Sequence, residues 1–205
     1  MEWLISAGPL MLTLLACSVL SLAVIIERAI NLRRNKILRP EIIQTIEAIR
    51  SRKDIPLAIS RCEVISCPFS NLLRRILTNI HLPREEKLSE IQAAGRQEMK
   101  ELEKRLWILE LIYVVAPLLG LLGTVLGLEN IFGVISELGL GHAKAFSGGL
   151  AVAIRNTAVG LFVAIPSIIA YSYFDRKVDT FALEMEEYAS HIINKLYQFE
   201  NTEEK

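Results

Sequence analysis

Residues 111–127 read LIYVVAPLLGLLGTVLG, an uncharged stretch long and apolar enough to cross a bilayer as a helix. Gly120, Gly123, Thr124 and Gly127 fall at helical spacing on one face, and Pro117 lies one turn before them. A helix face turned to lipid gains nothing from three glycines and a threonine. A face pressed against another helix, or lining a polar path, needs such residues. The pattern predicts a membrane protein whose function lies at a helix–helix seam.

The rest of the chain is segregated in the same way. Of its 205 residues 52% are hydrophobic, and they gather in three blocks at 3–26, 111–128 and 146–174, the last interrupted only by Arg155. A soluble domain would instead disperse them at helix or strand periods. One crossing takes about 20 apolar residues. The expected fold is therefore an all-α membrane protein with three transmembrane helices, two of them extended into a cytoplasmic helical bundle. The expected boundaries are transmembrane helices at 3–26, 106–132 and 148–174, a cytoplasmic helical segment at 27–105, a periplasmic hairpin at 133–147 and a cytoplasmic C-terminal helix at 175–205.

Only Glu2 precedes the first block where a signal peptide would carry basic residues, and Arg28, Arg33, Arg34, Lys36 and Arg39 follow it. That favours a retained anchor over a cleaved signal. Residues 27–105 contain 17 Lys/Arg, against one between the second and third blocks and four after Phe174. The positive-inside rule then puts 27–105 and the C-terminus in the cytoplasm, with the N-terminus and the hairpin outside.

The 23 basic residues are balanced by 23 acidic ones, interleaved as on solvated helical faces, which argues against nucleic-acid binding. Cys17 lies in a span, and Cys62 and Cys67 form a lone pair in a reducing compartment, a poor disulfide or metal site. His81, His142 and His191 are scattered. With no Gly-rich phosphate loop, paired catalytic carboxylates or metal-ligand cluster, no enzyme activity, metal or cofactor is expected.

Within the cytoplasmic segment, Ile42, Ile43, Ile46 and Ile49 form an apolar stripe, Asp54 and Pro56 mark a helix start, and Cys67-Pro68 and Leu82-Pro83 break the pattern. From Leu88 through Ile91, Gly95, Met99, Leu102, Leu106 and Leu109 the stripe runs without a breaker into the second span, predicting one rod. Val178, Phe181, Met185, Tyr188, Ile192 and Leu196 repeat the arrangement after the third span. Pro117 and Pro166 lie inside spans and each removes a backbone hydrogen bond. They either kink the helices and widen a cavity or simply bend them.

Ala153, Asn156, Thr157, Gly160 and Ala164 give the third span a small or polar face that matches the second. Packing alone accounts for the small residues, but not for Thr124, Arg155, Asn156 and Thr157 together. A charge inside a span is costly, so Arg155 either pairs with Glu129 near the outer end of a polar path or snorkels to the interface.

The segments APLLGLLGTVLGLENIF (116–132) and GGLAVAIRNTAVGLFVAIPSIIAYSYF (148–174), with Glu27-Arg28 closing the first span, resemble the MotA/TolQ/ExbB proton-channel family, the ExbB/TolQ branch in particular. The resemblance covers nearly the whole chain. It implies a homopentamer around a central pore that holds the single transmembrane helices of an ExbD/TolR-type partner dimer. Ion flow through that assembly would energise TonB- or TolA-like proteins, as an inner-membrane motor driven by proton-motive force. By matching motifs, Thr124 and Thr157 correspond to the family's pore-lining threonines. The departure is at Val152, where members of this branch often carry a glutamate. Two other readings stay open: a non-conducting membrane scaffold, which the missing glutamate favours, and a flagellar-type stator subunit.

Overall fold

The computed structural model describes residues 8–80, 84–139 and 143–203. They form α1 (Gly8–Asn31), α2 (Arg34–Ile37), α3 (Pro40–Ala48), a 3-10 turn (Arg52–Asp54), α4 (Ile55–Val64), α5 (Pro68–Thr78), α6 (Arg84–Glu103), α7 (Leu106–Leu138) and α8 (Ala143–Glu203). There is no strand among the described residues. Three segments are long and apolar enough to span a membrane: Leu10–Asn31, Leu106–Ser136 and a part of Phe146–Phe199. The chain is thus an all-α membrane protein. Leu82 and Pro83, expected to break the pattern, lie outside the described residues, as do His81 and His142.

Two compact units divide the chain. The first combines Met1–Arg28 with Arg105–Tyr173. Here α1, α7 and the first part of α8 share a core of Leu14, Ile112, Ala116, Val163 and Ala164. Large apolar side chains, including Leu12, Val19, Leu118, Val125, Phe162 and Ile169, point outward. That surface suits lipid or neighbouring helices rather than water. A hydroxyl pair is buried within this apolar packing, Ser21 Oγ to Ser167 Oγ at 2.7 Å, and Ser167 also reaches the Val163 carbonyl at 2.8 Å. The Tyr113 and Tyr171 rings lie 5.6 Å apart, tilted against each other.

The second unit combines Ala29–Lys104 with Phe174–Lys205. Its core takes the two stripes seen in the sequence: Ile42, Ile46 and Ile49 on one side, Val178, Phe181, Met185, Ile192 and Leu196 on the other, all buried. Phe69 meets Tyr188 with ring centroids 5.6 Å apart. Helix ends are satisfied locally. Asp54 accepts from the Arg50 and Ser51 backbone N–H groups, both at 2.9 Å, which holds its carboxyl below the usual range. Cys67 Sγ accepts from the Ser70 N–H at 3.3 Å as the N-cap of α5, while Pro68 takes a first-turn position that needs no donor. At the other end of α3, the Lys195 ammonium donates to the Ile46 and Glu47 carbonyls, both at 3.3 Å. A cation at the C-terminus of a helix meets both the orphan carbonyls and the negative end of the dipole.

One expectation fails. The rod predicted to run from the cytoplasmic stripe into the second span is broken: α6 ends at Glu103 and α7 begins at Leu106. Arg105 sits at φ 71, the left-handed region, and is alone in this among the described non-glycine residues. No glycine or proline lies between Gly95 and Pro117, but the Arg105 guanidinium is held 2.7 Å from the Glu27 carboxylate of α1.

A threonine pair on a glycine seam

α7 and α8 approach backbone to backbone. A Cβ at Gly120 would lie 2.9 Å from the Asn156 carbonyl oxygen, and one at Gly160 would lie 2.6 Å from the Ala116 carbonyl oxygen. Gly123 abuts Asn156, and Gly127 abuts Ala153, at 2.8 and 2.9 Å by the same measure. These spacings are below van der Waals contact for carbon, and at Gly120 and Gly160 the obstructing atoms are backbone, so a side chain there would force the helices apart. Gly149, nearer the start of α8, faces the Ile131 side chain.

The close approach brings backbone carbonyls within reach of side chains across the seam. Thr124 and Thr157 hydrogen-bond to one another through their hydroxyls, so the two stand at one level. The Gly120 carbonyl lies 3.2 Å from both hydroxyls, and the Ala153 carbonyl lies 3.2 Å from that of Thr124. Two hydroxyl protons thus face four contacts, and no single arrangement makes them all. Each hydroxyl donates once and accepts with its remaining lone pairs, so the pair can change donor and acceptor by rotating O–H bonds alone. Both side chains are half-buried, which leaves one flank open.

Asn156 is buried beside them, with its amide nitrogen 3.4 Å from the Gly123 carbonyl. Arg155 and Glu129 are exposed, and no ion pair between those two occurs among the described residues. Val152 is half-buried one turn before Asn156. Pro117 and Pro166 are accommodated inside α7 and α8, where the Tyr113 and Phe162 carbonyls lose the helical donor four residues on. The polar residues missed in the sequence are Ser21 and Ser167, whose signal was a hydroxyl inside an otherwise apolar span. No cluster of side chains suited to a metal occurs among the described residues.

The chain matches the MotA/TolQ/ExbB proton channel family over residues 65–187, and it belongs to that family. Among relatives, it is 44% identical over 103 residues to the biopolymer transport protein ExbB of Aquifex aeolicus, covering 50% of this chain and 69% of that one. The ExbB of Helicobacter pylori is 48% identical over 79 residues, 38% of this chain and 54% of the relative. An ExbB-like biopolymer transport protein of Synechocystis is 30% identical over 186 residues, 82% and 81% of the two chains. The family and the three apolar helices together define a membrane-embedded, ExbB-like subunit of a proton-driven system.

Proposed function

We propose that the chain is the pore-forming subunit of an inner-membrane motor driven by proton-motive force, which energises TonB- or Tol-dependent transport or envelope maintenance. The observation that carries this reading is the Thr124–Thr157 hydroxyl pair, held at one level by a close glycine seam. A hydroxyl pair can donate to a carboxylate and accept from a carboxylic acid without taking charge itself. That is the chemistry needed beside an aspartate that gains and loses protons on a partner helix. Five copies, with the α7–α8 seam toward the axis, would surround the single transmembrane helices of an ExbD/TolR-type dimer. Asn156, Arg155 and Glu129 would extend the polar path outward from the threonines. The segment before α1 and the α7–α8 connection would face the periplasm, and the second unit the cytoplasm.

The complex is purified from its own host in mild detergent and weighed by native mass spectrometry, then reconstituted for proton flux. A pentamer holding a single-span protein with an intramembrane Asp is expected. Thr157→Val, which keeps the shape but removes the hydroxyl, should reduce flux at least about tenfold while leaving the assembly intact, equivalent to about 1.4 kcal/mol of lost barrier stabilisation. Full flux in Thr157→Val, or an oligomer with no such partner, would replace the motor with a scaffold.

A further inference from the structure

We propose that Glu27 is a latch that holds the joint between α6 and α7 broken, and that without it the two helices join into one. The argument is independent of the transport reading. Between Gly95 and Pro117 every residue is compatible with a helix, and the apolar stripe keeps its helical period through the joint: Leu102, Leu106 and Leu109 are all buried. Local preference therefore favours an unbroken helix across residues 103–106. The chain instead turns at Lys104 and Arg105, with Arg105 at φ 71. Arginine is a good helix former, and the left-handed region is unfavourable for any residue with a Cβ. Something outside the segment must hold it there.

That restraint comes from α1. Glu27 Oε1 lies 2.7 Å from Arg105 Nη1 and 3.0 Å from Arg28 Nη2, so a single carboxylate oxygen gathers two guanidiniums. The Arg28 side chain is almost fully buried, Glu27 is about a quarter exposed and Arg105 about half. Arg105 offers no side-chain cap to α7, although its carbonyl accepts from the Ile108 N–H at 3.1 Å. The guanidinium is therefore committed to Glu27 rather than to the helix it precedes. Charge-assisted hydrogen bonds of this kind are strong enough to oppose one residue's backbone preference. A joint in which a local preference and a tertiary contact pull in opposite directions has two arrangements, and the state of Glu27 selects between them.

The test is hydrogen exchange with mass spectrometry on the full chain in nanodiscs, read on peptides covering residues 102–108. In the wild type the turn at 104–105 should exchange faster than the helices on either side. Arg105→Ala removes the ion pair and leaves a helix former, so exchange across the joint should slow by about tenfold. Arg105→Gly removes the same ion pair but accepts the left-handed backbone without strain, so the joint should stay broken and exchange as fast as in the wild type. Glu27→Gln should behave like Arg105→Ala. If it fails to fold because Arg28 is left buried without a carboxylate, the Ala and Gly variants at 105 still decide. Exchange in Arg105→Ala as fast as in the wild type would overturn the latch, whereas slow exchange in Arg105→Ala, with or without the same in Arg105→Gly, would support it.

Discussion

Gly160→Ala puts a number on how much of the first unit's stability depends on the closeness of α7 and α8. The added Cβ would lie 2.6 Å from the Ala116 carbonyl oxygen and 3.1 Å from the Gly120 Cα. Both are backbone atoms, so no side-chain rotation relieves the clash and the helices must part. Reaching an ordinary C···O contact of about 3.3 Å means opening the seam by roughly 0.7 Å. Overpacking of this kind costs about 1–3 kcal/mol. Alanine's better helical propensity returns about 0.5–1 kcal/mol. The expected net loss is anything up to about 2.5 kcal/mol, and about 1–3 kcal/mol relative to a variant that gains the same propensity without the clash, roughly a 5- to 150-fold shift toward the unfolded form. Gly133→Ala supplies the control, because nothing lies within 4 Å of a Cβ there. It keeps only the helical gain and should stabilise by about 0.5–1 kcal/mol. Both variants are read by reversible unfolding in mixed detergent–SDS micelles followed by far-UV circular dichroism. If Gly160→Ala unfolds no more readily than Gly133→Ala, the seam is not a tight backbone contact and the argument built on it fails.

Ser21→Ala and Ser167→Ala should each cost about 0.5–1 kcal/mol, with a coupling near 0.6 kcal/mol in the double variant, because the two hydroxyls meet inside the apolar core. A coupling of zero in that unfolding cycle would mean the pair contributes nothing beyond its two separate hydroxyls. Burial pushes the Cys62 thiol up to about 11, so at pH 8 its alkylation by iodoacetamide should be on the order of a hundredfold slower than in the unfolded chain. The linkage has a definite sign: above about pH 9 the unfolded chain sheds this proton first, so stability falls as pH rises toward 11, and alkylation at the unfolded rate in native protein would refute the burial.

Much of the architecture was legible because membrane helices must be both long and apolar, and segregation of that kind survives any detail of packing. The glycine face of 120–127 was legible for a similar reason: three glycines at helical spacing have few uses other than close approach. The break at Arg105 was not, because every residue near it is a competent helix former and the contact that breaks the helix comes from Glu27, far away in sequence. The Lys195 cap on α3 was hidden in the same way, since the two partners are about 150 residues apart. Ser21 and Ser167 stood in the open as hydroxyls inside spans, yet nothing local pairs one with the other. The expectation for Arg155 and Glu129 rested on vertical distance alone. Distance along two helices says nothing of the direction each side chain takes around them, and both side chains are exposed on the single chain.

Packing and polar chemistry on the α7–α8 seam are one feature. The Gly120 carbonyl can meet both threonine hydroxyls only because no Cβ stands between α7 and the Thr157 backbone, whose Cα would lie 3.1 Å from such an atom. At 3.2 Å those contacts are already at the long end for O–H···O hydrogen bonds, so an opening of about 0.7 Å at Gly160 carries the cross-helix ones beyond useful range. Thr124 would keep its bond to Gly120, which lies within its own helix, and its bond to Thr157, which starts close enough to survive the opening; Thr124 would lose its reach to Ala153, and Thr157 its reach to Gly120. Alanine at Gly160 should therefore strip the pair of its cross-helix carbonyl contacts without touching either hydroxyl. A flux defect in Gly160→Ala, shallower than that in Thr157→Val where a hydroxyl is removed outright, would follow from geometry, with no change in the polar residues themselves.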